Sequence, residues 1–149
     1  GVQSQDLIGR KTIKCNGEFI AEYIADIRDF ANDLSSDLNF IKDATLDVAT
    51  EIEIATQRII ERSKENADFS NTVAVDYLHA VGLLSFTYMF ACIAKAASEK
   101  EGQFYQDKLA LTHYYIQRVL PELSSRIAKI KSGAEIIMGF SEDYFTNQA

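Results

Sequence analysis

Asp76 and His79 have the spacing of a metal-binding element. They stand three residues apart, so a helix would place both side chains on one face. A dinuclear metal centre in a helical bundle needs two such carboxylate–histidine elements and two further inward carboxylates. The only other histidine, His113, has Ala110 three residues before it. We therefore expect His79 to be a structural residue and the chain to bind no metal.

Two further side chains, Ser85 and Cys92, have the chemistry of nucleophiles. A nucleophile needs a base within hydrogen-bond reach, and His79 is six and thirteen residues away, only partly on the same side of a helix. Cys15 and Cys92 are too few for a disulfide framework and are expected to be reduced thiols. We predict no catalytic residue in this chain.

The sequence patterns that would indicate a cofactor-binding site are also weak. Gly9 and Gly17 flank a connector that lacks the pattern of a phosphate-binding loop. Phe86, Tyr88 and Phe90 could form an aromatic box for a flavin, but aromatic rings on an apolar helix usually belong to the core. We expect these three rings to be core residues.

The composition favours a single helical domain. Its 149 residues are enough to enclose a core, and one proline with seven glycines leaves few turn residues for a sandwich or a barrel. The formal net charge is −7, and the basic residues are scattered among acidic ones. Because a nucleic-acid surface needs clustered Lys and Arg, we expect no nucleic-acid partner.

Hydrophobic periodicity predicts a short opening helix that ends near Gly9, a connector, and then four long helices. The four predicted spans are 17–34, 38–66, 71–98 and 103–131. In the first two, apolar residues recur every three or four positions, which keeps them on one face. Polar residues at 68–71 predict a turn and an N-cap before the third helix.

The third predicted helix is apolar almost all round. From Tyr77 to Ala94 no residue is charged at neutral pH, which reaches the lower limit of about 18 residues for a membrane span. His79, Gly82 and Ser85 interrupt this stretch, and the three amphipathic neighbours need an apolar partner. We expect the central helix of a bundle and no membrane span.

Pro121 lies inside the fourth predicted helix. Because proline lacks an amide donor and crowds the carbonyl of Gln117, we predict a kink or break near Leu120. Gly133 is predicted to end this helix, leaving 134–149 as a tail with a possible helical turn over 134–138. Short connectors make neighbours antiparallel, so the predicted fold is all-α, an up-down-up-down four-helix bundle with a short N-terminal helix and a C-terminal tail.

Three runs of residues carry a resemblance to a known family. The opening run Gly1-Val-Gln-Ser-Gln-Asp-Leu-Ile-Gly-Arg-Lys11 resembles the segment that follows the catalytic glutamate in acyl-CoA dehydrogenases. Phe104-Tyr-Gln-Asp-Lys-Leu with Arg118-Val-Leu-Pro121 is similar to the extra C-terminal helical domain of one subgroup. Gly133-Ala-Glu-Ile-Ile-Met138 is similar to the end of that domain. The resemblance covers nearly the whole chain.

This resemblance implies a parent enzyme that oxidises acyl-CoA to 2-enoyl-CoA with FAD and a carboxylate base upstream of Gly1. Residues 1–16 would then end the catalytic region, and 17–149 would form the C-terminal domain. FAD would belong to the parent, with none expected for the fragment, and only Gly1 would lie near the flavin. The implied partners are the catalytic domain of the same chain and a second copy in a homo-oligomer, and the expected location is cytoplasmic.

Two functions remain open from the sequence. The first is a structural, non-catalytic domain that packs on the catalytic domain or on a dimer interface. The second is a free-standing helical interaction module unrelated to flavin chemistry. The acyl-chain length that the parent would accept is not encoded in these residues.

Overall fold

The structure is a computed structural model that describes residues 1–133, and within this range it contains only helices and turns. A short helix α1 (Val2–Gln5) continues into a π-helical segment (Asp6–Ile13). The long helices are α2 (Glu18–Asn32), α3 (Asn39–Glu65), α4 (Ala67–Ser98), α5 (Gln103–Tyr114) and α6 (Glu122–Ser132), with a 3₁₀ turn (Ser36–Leu38) before α3 and a second π-helical segment (Tyr115–Val119) after α5.

Side-chain contacts show that α2 and α3 run in opposite directions. The Arg28 guanidinium binds the Glu53 carboxylate at 2.8 Å, while Lys42, earlier in α3, donates to the carbonyl of Asn32, later in α2. The contact made later in α2 is thus the one made earlier in α3, so the two helices are antiparallel.

Helix α4 packs against α3 on one side and against α5 and α6 on the other. The Tyr77 hydroxyl lies 2.8 Å from that of Thr56 in α3, and the Tyr115 hydroxyl lies 3.0 Å from that of Thr87. One residue joins α3 to α4 and a short turn joins α4 to α5, so each pair is antiparallel. The structure confirms the predicted all-α up-down-up-down bundle.

The core confirms the apolar faces predicted for the first two long helices. Residues at three- and four-residue spacing are buried in α2 and in α3, and the opening segment adds Ile8 to the same cluster. These residues are Ile20, Ile24, Ile27 and Ala31 in α2, and Ile41, Val48, Ile52, Ala55 and Ile59 in α3.

The prediction that the opening helix ends near Gly9 was wrong. The Lys14 amide donates to the Gly9 carbonyl at 3.0 Å, so bonding to the fifth residue back carries the helix on to Ile13. The Thr12 hydroxyl also donates to the Leu7 carbonyl, at 2.9 Å. The division of the chain at residue 16 stays a prediction.

The predicted turn at 68–71 was also wrong, because α4 begins at Ala67 and a single residue, Asn66, separates it from α3. Asn66 has extended backbone angles, and its side-chain carbonyl accepts the Asp68 amide at 2.9 Å. This bond satisfies one of the free amides of the first turn. One capping residue is therefore sufficient to reverse the chain.

We expect Asn66→Ala to lower the free energy of unfolding by about 1 kcal/mol, because it leaves that amide without its side-chain acceptor. Urea denaturation of the whole chain measures the change. Asn71→Ala, an exposed asparagine further along α4, is the control and should change stability by less than about 0.5 kcal/mol. Equal losses in the two variants would show that the cap contributes nothing.

The break predicted near Leu120 is confirmed, and it changes which residues are buried. The Leu120 amide donates to the Tyr115 carbonyl at 2.9 Å, so one extra residue enters the turn before Pro121. Tyr115 is consequently buried, whereas Val119 is 37% exposed. Gly133 ends α6 with φ = 76°, as predicted. The possible turn over 134–138 lies outside the described residues.

Candidate functional site

The residues that suggested a metal do not face a common centre. The Asp76 carboxylate binds Arg126 of α6 at 2.9 Å, and His79 is exposed on the outer surface of α4. In the part of the chain that the structure describes, no three His, Cys, Asp or Glu residues are grouped as metal ligands would be. Asp76 thus has an ion-pairing role, and the absence of a metal stays a prediction.

The candidate nucleophiles have other partners. Ser85 accepts the Tyr23 hydroxyl at 3.1 Å and donates to the Val81 carbonyl of its own helix. Cys92 is half-buried, and the Cys15 thiol lies 3.3 Å from the Arg10 carbonyl. None of these contacts pairs a nucleophile with a base.

Gly1, the residue expected near a flavin, is exposed at the start of α1. Its carbonyl accepts the Ser4 hydroxyl at 2.8 Å and the Gln5 amide at 3.2 Å. Both bonds hold the first turn of the helix together. A role for Gly1 toward a cofactor stays a prediction.

The prediction that three aromatic residues of α4 belong to the core was wrong for one of them. Phe90 stacks on Tyr115 with 4.3 Å between ring centroids, and Tyr88 meets Phe30 edge-to-face at 5.2 Å. Phe86, in contrast, is 61% exposed. Its ring therefore lies on the outer surface of the helix.

Phe86 belongs to an apolar stripe that runs along the outer surface of α4. Val75, Phe86 and Met89 are each about half exposed or more, and Leu78 and Gly82 between them are half-buried. Their spacing of three and four residues places them on one face. A helix that is apolar on every side is normally buried on every side, so this stripe is typical of a surface that another protein covers.

The middle of the stripe lines a depression on the surface. Leu78, Gly82 and Phe86 line it together with Gln3 of α1 and Val119 of the π-helical segment after α5. His79, Leu83 and Glu122 complete its lining. We call this depression the α4 groove.

Two further depressions lie along the opening helix, and each shares lining residues with its neighbour. Gln3 and Leu78 also line a second depression, which extends past Val2 to Lys11. Lys11 in turn belongs to a third depression, here called the basic end. Its lining consists of Arg10, Lys11, Lys14, Cys15 and Phe19. The surface is therefore apolar over α4 and positively charged where α1 leads into α2.

Gly82 in the floor of the groove has no packing role inside the domain. A Cβ atom added there would meet no atom within 4 Å. A glycine inside a helix costs about 0.5–1 kcal/mol relative to alanine. Packing within the described domain therefore does not require a glycine at this position.

Arg126 anchors the wall of the groove on the α6 side. Its guanidinium binds both Asp76 and Glu122, and the bond from Arg126 holds the pKa of the Glu122 carboxyl below its usual range. A carboxyl with a lowered folded-state pKa contributes stability above its unfolded pKa and loses that contribution as the pH falls. This wall of the groove is therefore weakened by acid.

We expect Arg126→Met to reduce the loss of stability between neutral and acidic pH, because the depressed pKa of Glu122 depends first on this arginine. Urea denaturation at a series of pH values measures the effect. Arg118→Met, at an exposed arginine, serves as the control and should leave the pH dependence unchanged. An unchanged slope in Arg126→Met would remove this account of acid sensitivity.

Helix α4 is the one described helix that is long and apolar enough to cross a membrane. However, its Asp76 is ion-paired, and its Tyr77 and Thr87 hydroxyls bond to α3 and to the segment after α5. These contacts favour a helix of the bundle. The absence of a membrane span stays a prediction.

The sequence contained a signal for the groove that periodicity analysis missed. Val75, Leu78, Gly82, Phe86 and Met89 already follow helical spacing. Because α4 is apolar on all sides, no polar face marked which of its stripes would be outermost.

Comparison with known proteins identifies the family of this helical domain. The family model described as acetyl-CoA dehydrogenase C-terminal like matches residues 23–141, well over half of the chain. A search of curated proteins found no match. The chain therefore belongs to the acetyl-CoA dehydrogenase C-terminal-like family.

Proposed function

We propose that this chain is the non-catalytic C-terminal domain of an FAD-dependent acyl-CoA dehydrogenase. The family match supports the domain assignment, and the opening run at 1–11 resembles the segment that follows the catalytic base. The reaction would be oxidation of acyl-CoA to 2-enoyl-CoA. A carboxylate and FAD in the catalytic domain would carry out that chemistry.

The described residues do not fit FAD by themselves. The Gly1 carbonyl is occupied by bonds within α1, and the basic end is an open surface depression. We therefore place the flavin site in the catalytic domain and limit Gly1 to the edge of that site.

The role that we propose for the domain is to pack on the catalytic domain through the α4 groove. The observation that carries this proposal is the uncovered apolar stripe of α4, with Gly82 in its floor and α1 as one wall. The resemblance of the opening run implies that α1 follows directly after the catalytic region in the chain. A groove beside α1 is therefore well placed to receive that region.

We further propose that the assembled enzyme is a cytoplasmic homo-oligomer. Phe104, Leu111 and Tyr114 are each between 46% and 64% exposed on α5, which lies beside α4. These side chains extend the apolar surface beyond the groove and offer a contact to a second copy.

The test compares the 149-residue chain with the longer product of the same reading frame. We expect flavin absorbance and oxidation of acyl-CoA in the longer product, and neither in the chain alone. A longer product without flavin or without the Glu-Gly-Thr-type motif before Gly1 would contradict the proposal and favour a free-standing interaction module. Flavin binding by the chain alone would contradict the placement of the cofactor.

A further inference from the structure

Helix α5 and the π-helical segment after it carry a row of exposed residues on one face. The residues follow one another at spacings of three or four positions, and we call them the α5 stripe. They are Phe104, Asp107, Leu111, Tyr114 and Arg118. In the wider turn at 115–119 four residues make about one turn, so Arg118 stays on the face of Tyr114. The stripe therefore combines three apolar side chains with one carboxylate and one guanidinium.

The two charged members of the stripe have no charged partner within residues 1–133. The Arg118 guanidinium forms no hydrogen bond or ion pair in this range. The Asp107 carboxylate accepts the neutral side-chain amide of Gln103 at 2.8 Å and forms no ion pair there. Both charges are therefore available to a partner outside the described bundle.

The order of the residues makes the stripe complementary to a reversed copy of itself. Asp107 and Arg118 lie the same number of positions on either side of the midpoint between Leu111 and Tyr114. When two such helices pack antiparallel about this midpoint, Leu111 meets Tyr114 of the second copy. Asp107 likewise meets Arg118 of the second copy. A two-fold axis repeats each of these pairs, so one stripe supplies both halves of the interface.

The same charges disfavour a parallel arrangement. A parallel pair in register would place Asp107 beside Asp107 of the second copy and Arg118 beside Arg118 of the second copy, and like charges repel. In the antiparallel arrangement Lys108, which borders the stripe, meets Gln117 of the second copy, which is uncharged. Charge complementarity therefore selects the antiparallel orientation.

We propose that two copies of this chain associate through the α5 stripe in antiparallel orientation, with Asp107 of each copy bound to Arg118 of the second copy. The pairing covers the exposed apolar side chains of the stripe and gives both charges a partner. No stripe residue lines the α4 groove, so this contact is distinct from the one proposed for the catalytic domain. The inference rests on the homo-oligomer of the proposed function and names its interface, but it does not require flavin chemistry.

Charge reversal in the 149-residue chain tests the pairing. Sedimentation equilibrium at concentrations up to about 1 mM measures the dimer dissociation constant, because an interface of one helix from each copy is small. We expect a weak dimer. Asp107→Arg and Arg118→Asp should each weaken it by about tenfold, because each repulsive pair occurs twice across the two-fold axis. A chain that stays monomeric over this range, or a dimer that neither variant weakens, would overturn the proposal.

Mixing the two variants separates specific pairing from a general effect of charge. An equimolar mixture of Asp107→Arg and Arg118→Asp should regain the original dissociation constant as a heterodimer, since each contact again joins opposite charges. Asp29→Arg makes the same charge change at an exposed position of α2 and should leave the dimer of the original chain unchanged. A mixture that associates no better than its separate components would contradict contact between Asp107 and Arg118.

Disulfide formation tests the orientation. Asp107→Cys and Arg118→Cys chains, each with Cys15 and Cys92 replaced, are mixed and oxidised. Because a disulfide requires Cα atoms within about 7 Å, we expect the 107–118 heterodimer to form at least about tenfold faster than either homodimer. Faster homodimers would indicate a parallel contact and would overturn the proposal. These measurements use the 149-residue chain alone, so a longer product without flavin would contradict the proposed enzyme and leave their outcomes unchanged.

Discussion

Tyr77→Ala is expected to lower the free energy of unfolding by about 3–5 kcal/mol, the typical cost of truncating a buried aromatic side chain. Tyr77 is fully buried and is among the largest side chains in the core. Its hydroxyl lies 2.8 Å from the Thr56 hydroxyl, and it also interacts with Thr12 of the opening segment. Tyr77 therefore connects three parts of the fold: the opening segment, α3 and α4.

Tyr77→Phe separates the ring from the hydroxyl. It should cost about 1 kcal/mol, because the Thr56 hydroxyl keeps its bond to the Ile52 carbonyl. Burial raises the pKa of the Tyr77 phenol, so this hydroxyl keeps its proton throughout the neutral range. The chain should remain folded in this variant even if Tyr77→Ala unfolds it.

Urea denaturation measures both changes, with the m-value as a check that the unfolded state is unaltered. Tyr114→Ala is the control, since Tyr114 is 58% exposed and its loss should change stability by less than about 0.5 kcal/mol. If Tyr77→Ala cost no more than Tyr114→Ala, the central position of Tyr77 in the core would be wrong.

Gly82→Arg is expected to have opposite effects on the separate domain and on the complete enzyme. In the 149-residue chain it should stabilise α4 by up to about 1 kcal/mol, because the helix loses an interior glycine and the new side chain meets no atom within 4 Å at its Cβ. In the proposed longer flavoprotein the same side chain should fill the α4 groove. Docking of the catalytic domain would then be blocked.

Thermal unfolding distinguishes these effects. A domain docked on its neighbour should unfold together with it, whereas an undocked domain unfolds in a separate transition. We therefore expect one transition in the parent flavoprotein and two in Gly82→Arg. Ala110→Arg, at an exposed alanine of α5 outside the groove lining, should keep the single transition. One unchanged transition in Gly82→Arg would contradict docking through the groove.

The helical bundle was predictable because isoleucines at three- and four-residue spacing marked the inner faces of α2 and α3. Two local features could not be predicted from the sequence. Bonding to the fifth residue back extends the opening helix through Gly9 and adds one residue to the turn before Pro121. A periodicity of 3.6 residues does not detect such turns.

The candidate site was less predictable than the fold. The outer stripe of α4 is as apolar as its inner faces, so only the positions of the neighbouring helices show that Phe86 is exposed. The basic end is also formed by tertiary packing, because the continued helix brings Lys11 and Lys14 beside Phe19. The family resemblance was readable from short runs at 104–121 and 133–138, which lie within the matched residues 23–141, since motifs do not depend on knowing which faces are covered. The resemblance of the opening run at 1–11 lies outside that match and stays a prediction.

Cysteine alkylation tests most directly whether the catalytic domain covers the α4 groove. Phe86→Cys and Ile54→Cys probe two sites of similar exposure in this domain, 61% and 51%, in a background where Cys15 and Cys92 are replaced. Both thiols should react at similar rates in the 149-residue chain. In the proposed longer flavoprotein we expect the thiol at position 86 to be protected and the thiol at position 54 to stay reactive. Equal reactivity at both positions in that flavoprotein would contradict the account.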